Sequence, residues 1–343
     1  MLSLSELREI REHLERAQNP LFFFDNDVDG LCSFLLLQRA VGRGKGVAIK
    51  SYPDLDANYS RKIEELNPDY VFILDKPRAS NSFIEFVLNK NIPIVWIDHH
   101  NVQVEKEILE KVYYYNSFPS SEPVTYICYN IFERKEDRWI AMIGCIGDVF
   151  MPDFAKEFAK DYPELFNANI PAFDCLYMTE IGKLVMMLNF ALKDTTTNVL
   201  NMMKFVGKAK GPYDLLEENS NTRQMHKKYA VLIGIYNKIV KKAENSKNNS
   251  NLIFLEYSGN ISMSSEIANG VYFHNKDKFV VIGYKKEGRV NFSIRGKNAR
   301  EITQKAIHGI EGATGGGHEV ACGARIPSDK FEEFKKRIEE LVV

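Results

Sequence analysis

The stretch "LFFFDNDVDG", residues 21–30, sets three aspartates on alternate positions directly after an apolar run and closes on glycine. The pattern Asp25-x-Asp27-x-Asp29-Gly30 is also the first half of a calcium-binding EF-hand loop. Such a loop requires a bidentate Glu at its twelfth position. Counting from Asp25, that position is Leu36, and the intervening Leu31, Phe34 and Leu35 suit a buried helix. The calcium loop is excluded. What remains is a parallel strand ending at Phe24, with carboxylates just past its C-terminal edge, where open α/β sheets place their ligands. Clustered carboxylates repel one another and are costly to bury without a cation. For this stretch alone, a solvated acidic turn before a helix N-terminus is the plainer alternative.

From Leu21 to about Phe150 the same rhythm continues. LFFFD precedes LCSFLLLQRAV, VAIKSY precedes YSRKIEEL, DYVFILD precedes SNSFIEFVLNK, and PIVWID precedes a loop. Continuous apolar runs separated by helical patterns predict a parallel sheet buried on both faces. Two helices, around EPVTYICYNIFERK and DRWIAMIGCIGDVF, then close the unit. Residues 155–245 read as several helices rich in Met, Leu and Asn, and the polar stretch KKAENSKNNSN (241–251) reads as a linker. Beyond it, strands NLIFLEY, KFVVIGYKK and RVNFSIRG alternate with helices in a smaller α/β unit. The expected fold class is α/β, in three segments: 1–154 with the parallel sheet, 155–250 helical, and 251–343 the smaller unit.

Composition narrows the function classes. At 343 residues the chain is long enough for two or three domains, and 45% hydrophobic with 27% charged residues suits a soluble globular protein. Lys plus Arg number 45 against 46 acidic residues, so no global charge advertises a polyanion, and a nucleic-acid surface must be local. Five scattered cysteines without a C-x-x-C pair argue against a disulfide framework and a zinc ribbon, and for a reducing cytoplasm. The N-terminal residues read as an amphipathic helix rather than a signal peptide, and no run of about 18 apolar residues suggests a membrane span.

Other predicted strand ends repeat the chemistry of the first. DYVFILDKP ends its apolar run on Asp75, and PIVWIDHHN ends on Asp98, His99 and His100. GCIGDVF sets Asp148 in an apolar helical face, where a lone carboxylate is expensive unless paired or coordinated. One strand-end Asp is more often a cap. Four such coincidences at one edge are hard to attribute to capping. In GATGGGHEVACGARI, Gly315, Gly316 and Gly317 permit positive φ and close approach of backbone amides to an anion, with His318 next to them. Arg295, on a neighbouring strand, suits bidentate phosphate binding.

The set DxDxDG, strand-end Asp, Asp-His-His, helical Asp and distal Gly-Gly-Gly-His resembles the DHH/DHHA1 phosphoesterase superfamily, most closely the RecJ-like single-strand exonucleases and their archaeal relatives. Many members carry a histidine four residues before the first metal-binding Asp, where this chain has Phe23; RecJ-type members carry the extra Asp matched here by Asp25. The DKP sequence departs from the motif and leaves Lys76 and Pro77 without a role. The resemblance implies two divalent cations, Mn²⁺ or alternatively Mg²⁺. Asp25 and Asp27 would hold the first, Asp29, His99 and Asp148 the second, and Asp75 would bridge them. It also implies catalytic parts for Asp75, His100 near the scissile phosphate, and Asp98 orienting His99. Arg295, Gly315, Gly316, Gly317 and His318 would hold substrate.

The implied activity is hydrolysis of single-stranded DNA or RNA from an end by metal-activated water. One alternative is a phosphodiesterase of short oligonucleotides or cyclic dinucleotides. Another, of a different class, is an inactive single-strand-binding scaffold in a replication complex. The methionines of the helical middle (Met178, Met186, Met187, Met202, Met203, Met225) raise a protein partner or self-association, against the plainer reading of a spacer.

Overall fold

Side chains of strand β1 (Pro20–Asp25) divide between two cores: Phe22 and Phe24 enter one, Leu21 and Phe23 the other. This period of two, apolar on both sides, recurs in the neighbouring strands and is what burial on both faces demands. The computed structural model describes residues 1–51, 54–120, 122–246 and 251–342. It divides into two compact units, Met1–Tyr229 and Ala230–Val343.

In the first unit, strands β1, β2 (Lys45–Ile49), β4 (Tyr70–Leu74), β6 (Ile94–Asp98) and β7 (Tyr113–Asn116) form a five-stranded sheet in the order 2-1-4-6-7, parallel throughout. The short strands β3 (Asp54–Leu55) and β5 (Arg78–Ala79) pair separately. Helices α1 (Leu4–Arg16), α2 (Val28–Val41), α6 (Val124–Phe132) and α7 (Arg138–Gly147) cover one face of the sheet; α3 (Ser60–Leu66), α4 (Asn81–Leu88) and α5 (Lys106–Leu109) cover the other. From β1 the chain passes first to β2 on one side, then across to β4 on the other. That reversal opens a crevice beyond the strand ends between β1 and β4, the position where such sheets bind ligands.

The sheet has one strand more than the sequence reading foresaw: β7 lies in what was expected to be a loop. Along it burial deepens from Tyr113, about half exposed (49%), to Tyr115, which is buried. The helices after the sheet, α8 (Ala155–Asp161), α9 (Ala172–Met178), α10 (Glu180–Leu192), α11 (Thr196–Val206) and α12 (Tyr213–Leu216), contribute to the same core as α2 and α7. Met187, Met202, Met203 and Met225 are buried there, and of the methionines proposed for a partner platform only Met178 is largely exposed, at 63%. The division between units falls within α13 (Arg223–Glu244), which runs into the polar stretch expected as a linker; residues 247–250 lie outside the described residues.

The second unit is a five-stranded mixed sheet in the order β11-β12-β10-β9-β8, built from β8 (Leu252–Ser258), β9 (Phe279–Lys286), β10 (Arg289–Arg295), β11 (Thr314–Gly317) and β12 (Ala321–Pro327). Only β8 and β9 pair parallel. Helix α14 (Ser264–His274) packs on β9 and β10, whereas α15 (Ala299–Ile307) and α16 (Phe331–Leu341) bury Ala299, Ala306, Phe334 and Ile338 in a core with Val281, Phe292 and Ile326. All five cysteines are buried and free. Among the described residues no single helix is long and apolar enough to cross a membrane.

Candidate metal centre

Asp25 closes β1, and the chain turns at once into α2. Asp27 caps that helix by accepting a hydrogen bond from the Gly30 N–H (3.0 Å), a role its short carboxylate suits. Glycine at 30 is a steric requirement. A Cβ there would lie 2.4 Å from the Asp25 carbonyl oxygen, so any side chain would push the helix off the strand end. Asp29, in the first turn of α2, is buried and accepts two backbone hydrogen bonds, from Val124 N–H (2.9 Å) and Thr125 N–H (2.7 Å). Its carboxylate therefore also caps the N-terminus of α6, where the dipole favours an anion.

Asp75 follows β4 in a left-handed conformation (φ 56°), tolerable for Asp and costly for most residues. The residue is 2% exposed, and its Oδ1 accepts no hydrogen bond. That oxygen lies 3.3 Å from His99 Nε2 and 3.9 Å from His100 Nδ1. A buried carboxylate oxygen without a partner is expensive, and burial followed by the charges of Asp29, Asp27, Asp25 and Asp148 holds this carboxyl well above its usual range. A proton or a cation on this group would offset that cost.

His99 Nε2 also lies 4.0 Å from Asp29 Oδ2, and its Nδ1 lies 3.8 Å from Asp148 Oδ2. Burial lowers the His99 pKa despite the Asp29 charge beside it, so at neutral pH the ring is uncharged, as a metal ligand must be. Asp98 corrects an expectation. It hydrogen-bonds His100 Nδ1 (2.8 Å), not His99, and also faces the His100 backbone N–H (3.3 Å). Burial alone would lower the His100 pKa; the hydrogen bond and charge of Asp98, with Asp148 and Asp27, outweigh it and raise the value. Asn116, on the unforeseen β7, completes the support by donating to the His100 carbonyl (3.0 Å).

Asp148 is not within the apolar face of α7 but just past it, as the C-cap, with its side chain 40% exposed. The premise of a buried lone carboxylate therefore falls. A different cost replaces it, because the C-terminal end of a helix repels an anion. Partial burial, then Asp29, push its pKa up to about 8 against the lowering effect of His100. Val149 next to it is a β-branched residue at φ 59°, an uncommon conformation held by the tight turn in which Phe150 N–H bonds the Cys145 carbonyl (2.8 Å). Asp27 reaches solvent, but desolvation, then Asp25 and Asp29, raise its pKa to about 7 against the Gly30 hydrogen bond.

Among the described residues, two groups place three ligand atoms within 4.8 Å of one another: Asp75, His99, His100, and Asp29, His99, Asp148. His99 belongs to both; Asp25 and Asp27 belong to neither. Sequence reasoning missed a contact at Asp25. Lys76, fully buried, donates to Asp25 Oδ1 (2.9 Å) and to the Ser51 carbonyl (2.8 Å), while its own carbonyl accepts from Trp96 Nε1 (2.8 Å). A lysine directly after a strand-end aspartate was the visible signal.

In the second unit Arg295 ends β10 and is tied to α14, donating to Asn269 Oδ1 (2.5 Å) and Ser265 Oγ (2.9 Å). Gly315–Gly317 lie on β11, the edge of the sheet, which among the described residues leaves one side of its backbone without a strand partner. Of the three glycines only Gly317 has positive φ (142°), and a Cβ there would meet the Ala321 carbonyl oxygen at 2.5 Å. His318 is exposed in the following turn, whose Val320 carbonyl accepts from Gly296 N–H (3.1 Å). The turn therefore meets the chain immediately after Arg295.

Residues 21–147 match the family model described as "DHH family, N-terminal domain", and residues 249–343 match that described as "DHHA1 domain". The chain belongs to the DHH/DHHA1 phosphoesterase superfamily. Among solved structures sharing the fold is RecJ of Thermus thermophilus in complex with Mn²⁺, with TM-score 0.70 and 15% identity over 99% of this chain and 55% of that one. An exonuclease RecJ bound to manganese shares it too, with TM-score 0.64 and 15% identity over 99% of this chain and 95% of that one. A pGpG-specific phosphodiesterase from Vibrio cholerae aligns with TM-score 0.50 and 12% identity over 95% and 99% of the two chains. In sequence, a curated uncharacterized protein of Methanocaldococcus jannaschii is 28% identical over 244 residues, 63% of this chain and 54% of the relative. The chain thus spans about half the length of the curated relative it matches.

Proposed function

We propose that this protein is a divalent-cation-dependent phosphodiesterase that hydrolyses single-stranded DNA or RNA from an end. One observation carries the reading: Asp75 Oδ1, buried and without a hydrogen-bond partner, faces a neutral His99 at the crevice between β1 and β4. The donors fit the ion. They are oxygen-rich with a single imidazole at the centre, which suits Mn²⁺ or Mg²⁺ better than zinc. The hydrogen bonds to Asp29 leave each of its oxygens a second lone pair, so capping and ligation are compatible. Asp75, His99, Asp29 and Asp148 would hold the ion.

An ion bound there supplies a Lewis acid that lowers the pKa of water and offsets charge on the phosphate. The chain's own groups do the rest. Asp98 fixes His100 in one orientation and favours its protonated form, which makes it a donor for a phosphate oxygen or the leaving oxygen. In the second unit Arg295, the β11 amides of Gly315–Gly317 and His318 would grip a terminal phosphate. Residues 1–154 would then act as the catalytic domain, 155–250 as its helical connection and 251–343 as the substrate-binding domain. The assignment to strand ends is supported by the fold shared with RecJ, and a cytoplasmic location accords with five reduced, buried cysteines.

The test is a digestion time course on end-labelled single strands of both sugars with added Mn²⁺, beside a dinucleotide. The account expects stepwise shortening of the long strand, lost in Asp75→Asn. No cleavage of any substrate with Mn²⁺ would refute it. A dinucleotide cleaved far faster than the strand would instead assign the short-substrate activity.

A further inference from the structure

We propose that Lys76 is a resident cation of this centre: it occupies Asp25 and leaves room for one divalent ion, at His99, where two would otherwise sit. The inference rests on the metal-centre reading above and refines it. An ammonium with no exposed surface is tolerated only when paired, and the pair here is Asp25 Oδ1 at 2.9 Å, with the Ser51 carbonyl at 2.8 Å. Trp96 anchors the lysine from the other side through its carbonyl. The left-handed turn at Asp75 sends two consecutive side chains to different partners, Asp75 to His99 and Lys76 to Asp25.

The surrounding carboxylates agree with this division. Both groups that gather three ligand atoms share His99, and neither contains Asp25 or Asp27. A second divalent ion on Asp25 would sit a few ångströms from the ammonium, in surroundings that screen poorly. To avoid that repulsion it would have to take the Asp25 carboxylate from Lys76 and weaken the pairing of a buried ammonium. Lys76 therefore discriminates against the second ion and keeps the charge on Asp25 balanced without one.

The experiment counts ions. The full chain is dialysed against Mn²⁺ at pH 8, bound manganese is measured by mass spectrometry, and electron paramagnetic resonance reports whether two ions are spin-coupled. Wild type should hold one ion per chain, with no coupled signal. Lys76→Met, neutral and of similar length, should gain a second ion bound at least about 100-fold more tightly than in wild type. If that variant does not fold, Asp25→Asn decides: a loss of Mn²⁺ affinity under about threefold supports the proposal, and a loss beyond about 100-fold makes Asp25 a ligand and overturns it. Two coupled ions in wild type would overturn the proposal and leave the metal centre standing. No ion in either protein would overturn the metal centre itself, and the proposal with it.

Discussion

Asp29 and Asp75 are both buried carboxylates of the same cluster, yet replacing each with asparagine should have opposite effects on the metal-free fold. Asp29 accepts from two backbone N–H groups at the start of α6, at 2.9 and 2.7 Å. In Asp29→Asn the amide oxygen can keep one of these, while the amide NH₂ confronts the other donor. One charge-assisted bond weakens and one buried N–H is stranded, a combined cost of about 3–5 kcal/mol. Asp75 Oδ1 has no hydrogen bond to lose, and its charge is opposed by Asp29, Asp27, Asp25 and Asp148. Asparagine also tolerates the φ of 56° found at this position. Asp75→Asn should therefore leave the metal-free protein as stable as wild type, or more so.

The assay is thermal unfolding followed by circular dichroism in EDTA at pH 6, where Asp27 and Asp148 are largely protonated and relief of their repulsion contributes little. At about 2–4 °C per kcal/mol for a unit of this size, Asp29→Asn should melt about 6–20 °C lower. Added Mn²⁺ should then raise the wild-type Tm and leave that of Asp75→Asn unmoved. Equal melting of Asp29→Asn and wild type would refute the capping argument. A loss in Asp75→Asn matching that in Asp29→Asn would show that Asp75 has a structural partner after all.

Two further outcomes follow from the electrostatics and from the second unit. Asp27 and Asp148 titrate near 7 and 8 without metal, above the ordinary carboxylate value, so the folded state retains protons that the unfolded state has released. Their contribution to stability is fully present below about pH 4 and lost as pH rises through 7 and 8. A cation held by Asp148 replaces its proton, so Mn²⁺ affinity measured by calorimetry should rise at least about tenfold from pH 6 to 8, and a flat profile would contradict the shift. His318→Ala should raise KM for a strand with a terminal phosphate while leaving kcat and the manganese count unchanged; an unaltered KM would remove His318 from the phosphate pocket.

The sheet could be read from the sequence because each strand is apolar on both sides. LFFF and YVFIL admit no half-exposed alternative, and their acidic ends mark the same edge. β7 escaped notice because YYYN is too short and too polar-tipped to stand out as a strand. Its placement depends on pairing with β6. Asp98, His99 and His100 were visible as a motif, but which histidine Asp98 would orient depends on backbone rotation after β6, to which spacing is blind. Asp148 was misplaced by one helical position, enough to turn burial inside a face into exposure at a helix end. Lys76 left its role hidden for another reason. Its partners Asp25 and Ser51 are distant in sequence, and only the turn at Asp75 brings the ammonium to them.

Anomalous scattering from Mn²⁺-soaked crystals tests the central claim most directly. The account predicts a manganese peak in bonding contact with both Asp75 Oδ1 and His99 Nε2. Manganese bound elsewhere, with these two atoms in place and no peak between them, would contradict it.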